Sequence, residues 1–477
     1  QSQVSTTYYV AFISGRTNAT NYMVQGQTGA APQAATAGTA VNIYRAFNEL
    51  DDWEDQVVED VNPSIHADVD EDVLYNSTDL SSDNVAVMAA CYADGADTVD
   101  VTVDGWTTDS DSYIQIYTPT MSSEAGASQR HTGIWETGYY RSGGALTIYE
   151  SFVRVDGMSI RQNTADWGIY VTNVSGEGEI LISNNLCIIA YVSTAYRAFS
   201  VSGNSSATDL TVKLWNNIGI HYGTDAAAAA FRVTNLNVDT TVYLYNNTGV
   251  TAAGPAFYND SSEAAIHLLN NLGYSASGTS FDGPFNSVSY CASDDNTADD
   301  WGGTGNRTGQ TFTFRYATGD DYHLAGTDTG ALTYGSDLSA NTVIAFSTDI
   351  DGSTRSGTWD IGADEFIATS NAITISNLVL SNIGDTGFDS AIDFSGDDNV
   401  NSTATLYYCN NTDSPDCDPE TGSSQVMTRM SSTFQKSVSG LSSPNDPGDV
   451  LNIRVVAADT DGVTGSPLND TLTLGGT

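Results

Sequence analysis

The sequence predicts an all-β chain, in which a right-handed parallel β-helix is capped by an N-terminal strand and helix and followed by a β-sandwich. Two observations predict the solenoid: an Asn-Asn phrase occurs four times between residues 180 and 274, and a second short apolar phrase keeps step with it. A repeat of 20 to 50 residues indicates stacked units that share one core. About seven strand-like segments over residues 371–477 predict the sandwich.

The repeated phrase alternates apolar with variable residues, which is the pattern of a strand with one buried face. Asn-Asn suits a sharp corner, because Asn tolerates the left-handed conformation. Coils stacked about 4.8 Å apart would align these side-chain amides into a ladder. A β-propeller is the competing repeat architecture, but it requires a more regular repeat of about 40 to 50 residues. The four copies of the phrase occupy residues 180–187, 212–219, 242–249 and 266–273.

Residues 1–79 are predicted to close the N-terminal end of the solenoid. The β-branched and aromatic content of residues 4–13 predicts a strand. This strand would either cover the first coil or pair with a neighbouring subunit by strand addition. Apolar residues at helical spacing over 41–61 predict a capping helix. The side chains assigned to the assembly strand are Val4, Thr6, Tyr8, Val10 and Phe12.

Charge and hydropathy exclude several classes of partner. The net charge is −44, from 59 acidic and 15 basic residues, so the chain repels nucleic acid and anionic membranes. The sequence contains no run of 18 apolar residues, which excludes a spanning helix. Because the chain begins at Gln1 rather than Met, we expect a secreted protein whose signal has been removed.

An extracellular location makes N-glycosylation and disulfide bonds relevant. A turn-rich loop separates Cys409 from Cys417, which predicts a disulfide between them. Cys187 stands where the other copies of the phrase have Gly, so we expect a small buried residue there. Cys91 and Cys291 have no assigned role. Ten sequons offer glycosylation sites, at Asn18, Asn76, Asn173, Asn204, Asn246, Asn259, Asn306, Asn401, Asn410 and Asn469.

Clustered carboxylates make calcium a candidate cofactor, because Ca²⁺ prefers several oxygen ligands. One cluster lies in an acidic loop, and the other is the pair Asp349 and Asp351. Neither has the spacing of an EF-hand, and the pair could equally form a turn that contacts Arg355. The acidic loop contributes Asp294, Asp295, Asp299 and Asp300.

The segment 349–365 contains Asp-Ile-Asp-Gly, Arg and Asp-Ile-Gly-Ala-Asp-Glu, after Tyr-His-Leu at 322–324. It resembles the closing motif of secreted bacterial and archaeal β-helix proteins of the pectate-lyase-like superfamily. The resemblance implies a β-helix over residues 80–366 and says little about activity. The polygalacturonase-like motifs Gly-His-Gly and Arg-Ile-Lys are missing, and Lys213 is a lone lysine on a strand.

Two further expectations concern the loop around His131 and the C-terminal region. Arg130, His131 and Trp135 form the cluster most suited to contact a glycan, although the favoured interpretation is a loop packed against the flank of the solenoid. Residues 439–457 resemble part of a fibronectin type III repeat, with Leu451 where that family usually has a Tyr. Such domains usually serve as spacers, anchors or contact modules.

We therefore expect a non-catalytic extracellular protein that polymerises head to tail as a filament or surface layer and has a possible adhesive role. The alternative is a protein that binds or degrades polysaccharide, and a third option is a viral spike. An enzyme would need catalytic motifs that the sequence does not present.

Overall fold

The computed structural model describes residues 8–18, 21–26, 29–34, 41–75, 77–124, 126–191, 196–203, 206–367, 374–384, 387–395, 403–412, 417–430, 433–439, 441, 449–458 and 467–474. Contacts divide the chain into two compact units. The first contains residues 1–312 and 329–365, and the second contains 313–328 and 366–477. The predicted boundary at residue 366 therefore differs from this division by the segment 313–328.

The first unit is a parallel β-helix, as predicted. Twenty-three of its strands form three parallel sheets in which each strand pairs with its counterparts one coil away. In chain order, the two strands of the N-terminal hairpin and those of the solenoid are β1 (Phe12–Asn18), β2 (Asn21–Gln25), β3 (Val87–Ala90), β4 (Ala96–Asp97), β5 (Val101–Val103), β6 (Ile114–Tyr117), β7 (Arg141–Ser142), β8 (Leu146–Ile148), β9 (Val153–Asp156), β10 (Ser159–Gln162), β11 (Ile169–Thr172), β12 (Gly176–Ser183), β13 (Leu186–Ile189), β14 (Arg197–Ser202), β15 (Ala207–Trp215), β16 (Ile218–His221), β17 (Ala229–Thr234), β18 (Thr240–Tyr245), β19 (Thr248–Thr251), β20 (Phe257–Asn259), β21 (Ala265–Leu269), β22 (Leu272–Ser275), β23 (Phe281–Asp282), β24 (Ser287–Ser289) and β25 (Ala292–Ser293).

Every third strand belongs to the same sheet. Sheet A contains eight strands from β3 to β24, sheet B contains eight from β4 to β25, and sheet C contains seven from β5 to β23. Apolar side chains alternate into the interior, so that Val212, Val242 and Ile266 lie in register on neighbouring strands of sheet A and are fully buried. This shared core is what makes the repeats stable only as a stack.

The Asn-Asn corners join sheet A to sheet B. The first Asn of each pair takes the left-handed conformation, with φ of 55° at Asn184 and 53° at Asn216. The second Asn is buried and points along the stack. At each step its side-chain oxygen accepts the backbone N–H and the side-chain NH₂ of the Asn one coil earlier, at 2.9 to 3.1 Å. The predicted ladder is present and runs through Asn185, Asn217, Asn247 and Asn271.

A column of stacked rings explains the glycine that follows each corner. Phe231 stacks on Phe257 with ring centroids 4.9 Å apart, within a series that also contains Phe199 and Phe281. A Cβ at Gly249 would lie 3.1 Å from the ring of Phe257. Cys187 fits the equivalent position because the residue beside it is Gly168, where later coils have Ala.

The N-terminal elements differ from the prediction. The predicted strand at 4–13 begins at Phe12 and forms an antiparallel hairpin with β2; Val4 and Thr6 lie outside the described residues. Tyr8 and Val10 precede the strand: Tyr8 stacks on His66 at 3.7 Å, and Val10 packs against a small core around Val61.

The predicted helix at 41–61 is wrong in extent. Helix α1 spans only Leu50–Asp55, followed by a short 3-10 turn at Val58–Asp60. A capping box formed by Glu49 and Asp52 begins it, and Gln56 in the left-handed conformation ends it. Val41 is 77% exposed, so the apolar spacing upstream of α1 does not mark a helix face. A second short helix, α2, spans Leu80–Asp83.

Helix α1 caps the first coil, as predicted. Trp53 is buried and stacks with Trp106 at 6.0 Å between ring centroids. The carboxylate of Glu49 accepts the backbone N–H groups of Thr98 and Val99, each at 3.1 Å. Glu54 accepts the N–H of Asp104 at 3.2 Å. These carboxylates occupy donors just before and just after β5, the N-terminal edge strand of sheet C, and so cover a sheet edge.

The second unit contains a β-hairpin and a β-sandwich. The ten described strands of this unit are β26 (Phe314–Tyr316), β27 (Asp321–Leu324), β28 (Thr374–Gly384), β29 (Gly387–Ser395), β30 (Thr403–Asn410), β31 (Ser423–Val426), β32 (Thr428–Met430), β33 (Thr433–Val438), β34 (Val450–Ala458) and β35 (Leu468–Thr473). Two four-stranded antiparallel sheets, ordered β28-β29-β33-β32 and β31-β30-β34-β35, share one core that includes Phe388, Phe434, Leu406 and Ile453.

Candidate functional sites

The segment that resembles a closing motif is an arm on the side of the solenoid. Residues 329–365 contain no strand and do not form a last coil. They run along the solenoid beside the first asparagine of successive Asn-Asn corners. Asn216 donates to the carbonyl of Thr348 at 2.7 Å, and Asn270 donates to that of Ser336 at 2.7 Å. We call residues 331–365 the closing arm. Its apolar side chains pack on Trp215, Tyr243, Tyr245 and Leu269 through Leu338, Val343, Ile344, Phe346 and Trp359.

Arg355 is the centre of the closing arm. Its side chain is fully buried and donates to the carboxylate of Glu365 at 3.2 Å and to the carbonyl of Ala363 at 2.7 Å. The same guanidinium reaches the side-chain oxygen of Asn216 at 3.1 Å. Burial lowers the pKa of Arg355, and the surrounding carboxylates oppose that shift.

The carboxylate of Asp349 forms a turn, which was one of the two predicted roles. It accepts the backbone N–H groups of Asp351 at 3.0 Å, Ser353 at 2.8 Å and Glu365 at 3.2 Å. Burial, together with the charges of Asp351 and Asp364, raises the pKa of Asp349 to about 7. Its oxygens therefore bind backbone donors of the closing arm.

The acidic loop does not gather its four carboxylates. Asp294 accepts the hydroxyl of Ser280 at 2.5 Å, and Asp295 accepts the N–H of Ser280 at 2.8 Å. Asp299 and Asp300 are exposed. The four side chains do not place three oxygens within the span of one ion. Asp294 and Asp295 are half-buried and instead stabilise the turn at Ser280 through these hydrogen bonds.

The predicted glycan cluster is divided among separate structural contacts. Arg130 forms an ion pair with Asp156, a residue that also accepts hydrogen bonds from the start of the Asn corner. His131 is buried and its Nδ1 accepts the N–H of Gly133 at 3.0 Å. Burial, and then the charge of Arg130, lowers the pKa of His131 to about 4. Trp135 is partly exposed and packs beside Arg141, whose guanidinium carbon lies 5.7 Å from the ring centroid.

Lys213 and two further histidines also have structural partners. Lys213 pairs with Glu179 at 2.5 Å across neighbouring strands of sheet A. His221 is fully buried, its Nδ1 accepts the N–H of Gly223, and burial lowers its pKa to about 4. His267 stacks on Tyr243 with ring centroids 5.2 Å apart. These side chains join neighbouring coils or turns.

A polar site on the outer face of sheet C was not predicted. Tyr170, Ser200, Arg232 and Tyr258 lie in register on four successive strands. Arg197, at the start of β14, is fully buried. Burial is the main cause that lowers the pKa of Arg197 to about 10, and the nearby positive charge of Arg232 lowers it further. We call these five residues the arginine row. Its signal in the sequence is the placement of two of only 15 basic residues at neighbouring copies of the second phrase: Arg197 directly precedes the copy at 198–201, and Arg232 lies within the copy at 230–233.

The arginine row holds polar atoms that lack a partner among the described residues. These are Nε and Nη2 of Arg197, the hydroxyl of Ser200 and Nε of Arg232. Ser200 is only 2% exposed. Arg232 also pairs with Asp260 at 2.9 Å and stacks over Tyr258 at 5.2 Å. Buried donors without a partner usually indicate a water or ion that the protein binds.

Aromatic side chains border the arginine row. Trp167 stacks on Tyr170 with ring centroids 4.4 Å apart, and Tyr196 meets Trp167 edge-on at 5.4 Å. All three rings are partly exposed. Such a platform beside guanidinium donors suits a ligand with an apolar face and a negative group.

The structure separates the predicted glycosylation sites. Asn18, Asn173 and Asn469 are exposed, whereas Asn246 and Asn259 are fully buried with their NH₂ groups bound to backbone carbonyls. Asn306 and Asn410 are partly exposed, and the side-chain NH₂ of each donates a hydrogen bond. The remaining sequons lie outside the described residues, at Asn76, Asn204 and Asn401.

The cysteines divide into one disulfide and three buried thiols. Cys409 and Cys417 form the predicted disulfide. Cys91, Cys187 and Cys291 are buried, and burial raises the pKa of each thiol. The three thiols are therefore poor nucleophiles.

No protein-family model matches the chain, and no curated protein matches it. Within the described residues, no helix has the length and apolar character needed to cross a membrane.

Proposed function

We propose that this protein is a non-catalytic, secreted structural subunit that assembles head to tail into a filament or surface layer. The observation that carries the proposal is the hairpin β1–β2. It is a two-stranded sheet whose residues Ile13, Met23 and Val24 are 42%, 56% and 46% exposed. An isolated hairpin with exposed apolar residues is marginally stable in water, so further pairing would stabilise it.

The side chains that most resemble catalytic groups support the same proposal. His131 and Arg130 hold the flank of the solenoid, and Asp349 holds a turn. Arg130, Nδ1 of His131 and the carboxylate of Asp349 all bond to the protein itself, whereas the buried Nε2 of His131 has no partner among the described residues. A rod of coils with one end covered by α1 and one flank covered by the closing arm suits a load-bearing unit.

Negative-stain microscopy of the purified protein, with and without a calcium chelator, tests this proposal. We expect ordered polymers whose formation is lost when residues 1–15 are deleted, while the circular dichroism of the solenoid is retained. Dissolution by the chelator would place calcium at the contacts between subunits. Monodisperse particles at all concentrations, or unchanged assembly after the deletion, would contradict the proposal.

A second candidate function is the binding of an anionic glycan, and the arginine row favours it. The unpartnered donors of Arg197 and Arg232 would bind a carboxylate or sulfate, and Trp167 with Tyr170 would stack on a sugar ring. Titration calorimetry with sulfated and uronic oligosaccharides tests this function. We expect Arg197→Gln to abolish binding and Arg154→Gln, on sheet A, to leave it unchanged. Equal affinity for neutral sugars would exclude it.

A further inference from the structure

The N-terminal tenth of the chain differs from the rest in charge. The first acidic residue is Glu49, so residues 1–48 carry no acid and two arginines, Arg16 and Arg45. All 59 acidic residues lie in 49–477. Two copies of so acidic a body repel each other wherever acidic surfaces meet. The first 48 residues are the part of the chain that can approach another copy without this repulsion.

Exposed apolar side chains are concentrated in the same segment. Of the twenty large apolar residues that are exposed in the described chain, nine lie between Tyr8 and Tyr44. Exposed apolar residues are ordinarily scattered singly, and a concentration of them marks an interaction surface. The β1–β2 hairpin supplies four of the nine: Ile13, Tyr22, Met23 and Val24.

The two edges of the hairpin are not equivalent. On β1, the backbone N–H of Arg16 donates to the carbonyl of Ser123, which ties that strand to a loop of the solenoid. On β2, the outer edge pairs with no described strand. Strand β2 is therefore the edge at which another sheet can be extended.

Strand β28 offers a matching edge. Its eleven residues contain no charged side chain, and among the described strands it pairs only with β29. Val379 and Ile383 on β28 are 54% and 44% exposed. Proteins usually protect an edge strand with charges, Pro or bulges. Strand β28 has neither charge nor Pro, and its register with β29 shifts on both sides of residues 379–381, so this short regular stretch around Val379 is the part of the edge open to strand pairing. Asp389 and Asp393 accept hydrogen bonds from asparagines of β28; Asp389 is half-buried and Asp393 is exposed.

We propose that β2 of one copy adds to the outer edge of β28 in a second copy, joining the subunits head to tail. This inference rests on the proposed function and names the two surfaces involved. The donor hairpin has one positive charge and no negative charge, which suits an uncharged edge flanked by Asp389 and Asp393. Because the two surfaces differ, the contact is heterologous and propagates as an open chain.

Cross-linking of two singly substituted proteins tests the contact. One protein carries Met23→Cys and the other Val379→Cys, both at exposed positions, and a short bis-maleimide joins the thiols. The native thiols are buried with raised pKa values, so they do not compete. The matched control replaces the second protein with Val238→Cys, which lies on the solenoid and is 69% exposed.

We expect the Met23→Cys and Val379→Cys mixture to give covalent dimers in several-fold higher yield than the control mixture. We also expect Val379→Lys to prevent filament formation and Val238→Lys to leave it intact. Equal yields from the two mixtures would overturn the contact. Filaments without a selective cross-link would exclude this interface and leave the proposed function standing. A selective dimer without filaments would support the interface and contradict the proposed function.

Discussion

Arg355 donates a hydrogen bond to the side-chain oxygen of Asn216, at 3.1 Å and across 139 residues of sequence. The contact joins the closing arm to a corner of the solenoid. On the other side, Asn216 donates to the carbonyl of Thr348 and to the side chain of Asn184. One asparagine therefore takes part both in the stacking of coils and in the attachment of the closing arm.

Replacing Arg355 with Met should release the closing arm. Loss of the guanidinium leaves Glu365 and several carbonyls buried without their partner, which we expect to cost about 3 to 5 kcal/mol. Hydrogen–deuterium exchange should increase over residues 331–365, and the urea midpoint should fall. Lys213→Met removes a partly exposed pair and should cost no more than about 1 kcal/mol. Unchanged exchange in the closing arm would contradict this role of Arg355.

Replacing Asn247 with Ala should destabilise the solenoid strongly. The side-chain oxygen of Asn247 accepts two hydrogen bonds from Asn217, and its NH₂ donates to Leu214 and Asn271. The buried groups left unpaired should cost about 3 kcal/mol in the free energy of unfolding. Asn163→Ala, at an exposed position, should change it by about 0.5 kcal/mol or less. Equal unfolding curves for the two variants would show that the ladder adds no stability.

Adding a methyl group at Gly249 should strain the ring column. The new Cβ would lie 3.1 Å from the ring of Phe257 and 3.2 Å from the Cβ of Ala256. Overpacking of this kind costs about 1 to 3 kcal/mol. The control is Gly95→Ala, where a Cβ meets no atom within 4 Å. Thermal unfolding should separate the two variants, and a shift of the same size in both would point to a backbone effect instead.

His131 should make stability fall as the solution becomes acidic. Its pKa is about 4 in the folded protein, below the ordinary 6.5 of the unfolded chain. As pH falls, the unfolded state takes up the proton before the folded state does. The free energy of unfolding is therefore unaffected by His131 above pH 6.5 and decreases as pH falls from 6.5 towards 4. His131→Asn keeps an acceptor for Gly133 and should remove the loss, which is about 3 kcal/mol. The measurement is unfolding free energy from pH 7 to 4 for both proteins; parallel curves would contradict the prediction.

The sequence predicts the solenoid well because each coil repeats the same local pattern. The Asn-Asn corners and alternating strands needed no knowledge of distant contacts, and the structure shows both. Local pattern failed at α1, where apolar spacing extended the helix to 41–61. There the capping box at Glu49 and the left-handed Gln56 decide the bounds, and both depend on side-chain contacts in the folded chain.

The closing arm and the arginine row were beyond sequence reasoning for a different reason. The arm depends on pairs such as Asn246 with Gly362, which are 116 residues apart. The row depends on alignment of Ser200 with Arg232 on neighbouring strands of coils of unequal length. Spacing along the chain shows neither; the register of the stacked strands shows the row, and the side-chain hydrogen bonds of the corner asparagines show the arm.

The closing arm also limits how this chain can change in length. The Asn-Asn corners begin at Asn184, and a coil added between two of them would change which asparagines face the arm. After Asn184, the arm accepts hydrogen bonds from Asn216, Asn246 and Asn270. An added coil would therefore shift these asparagines away from the carbonyls of the arm that they bind. The closing arm therefore fixes the number of coils between Asn216 and Asn270.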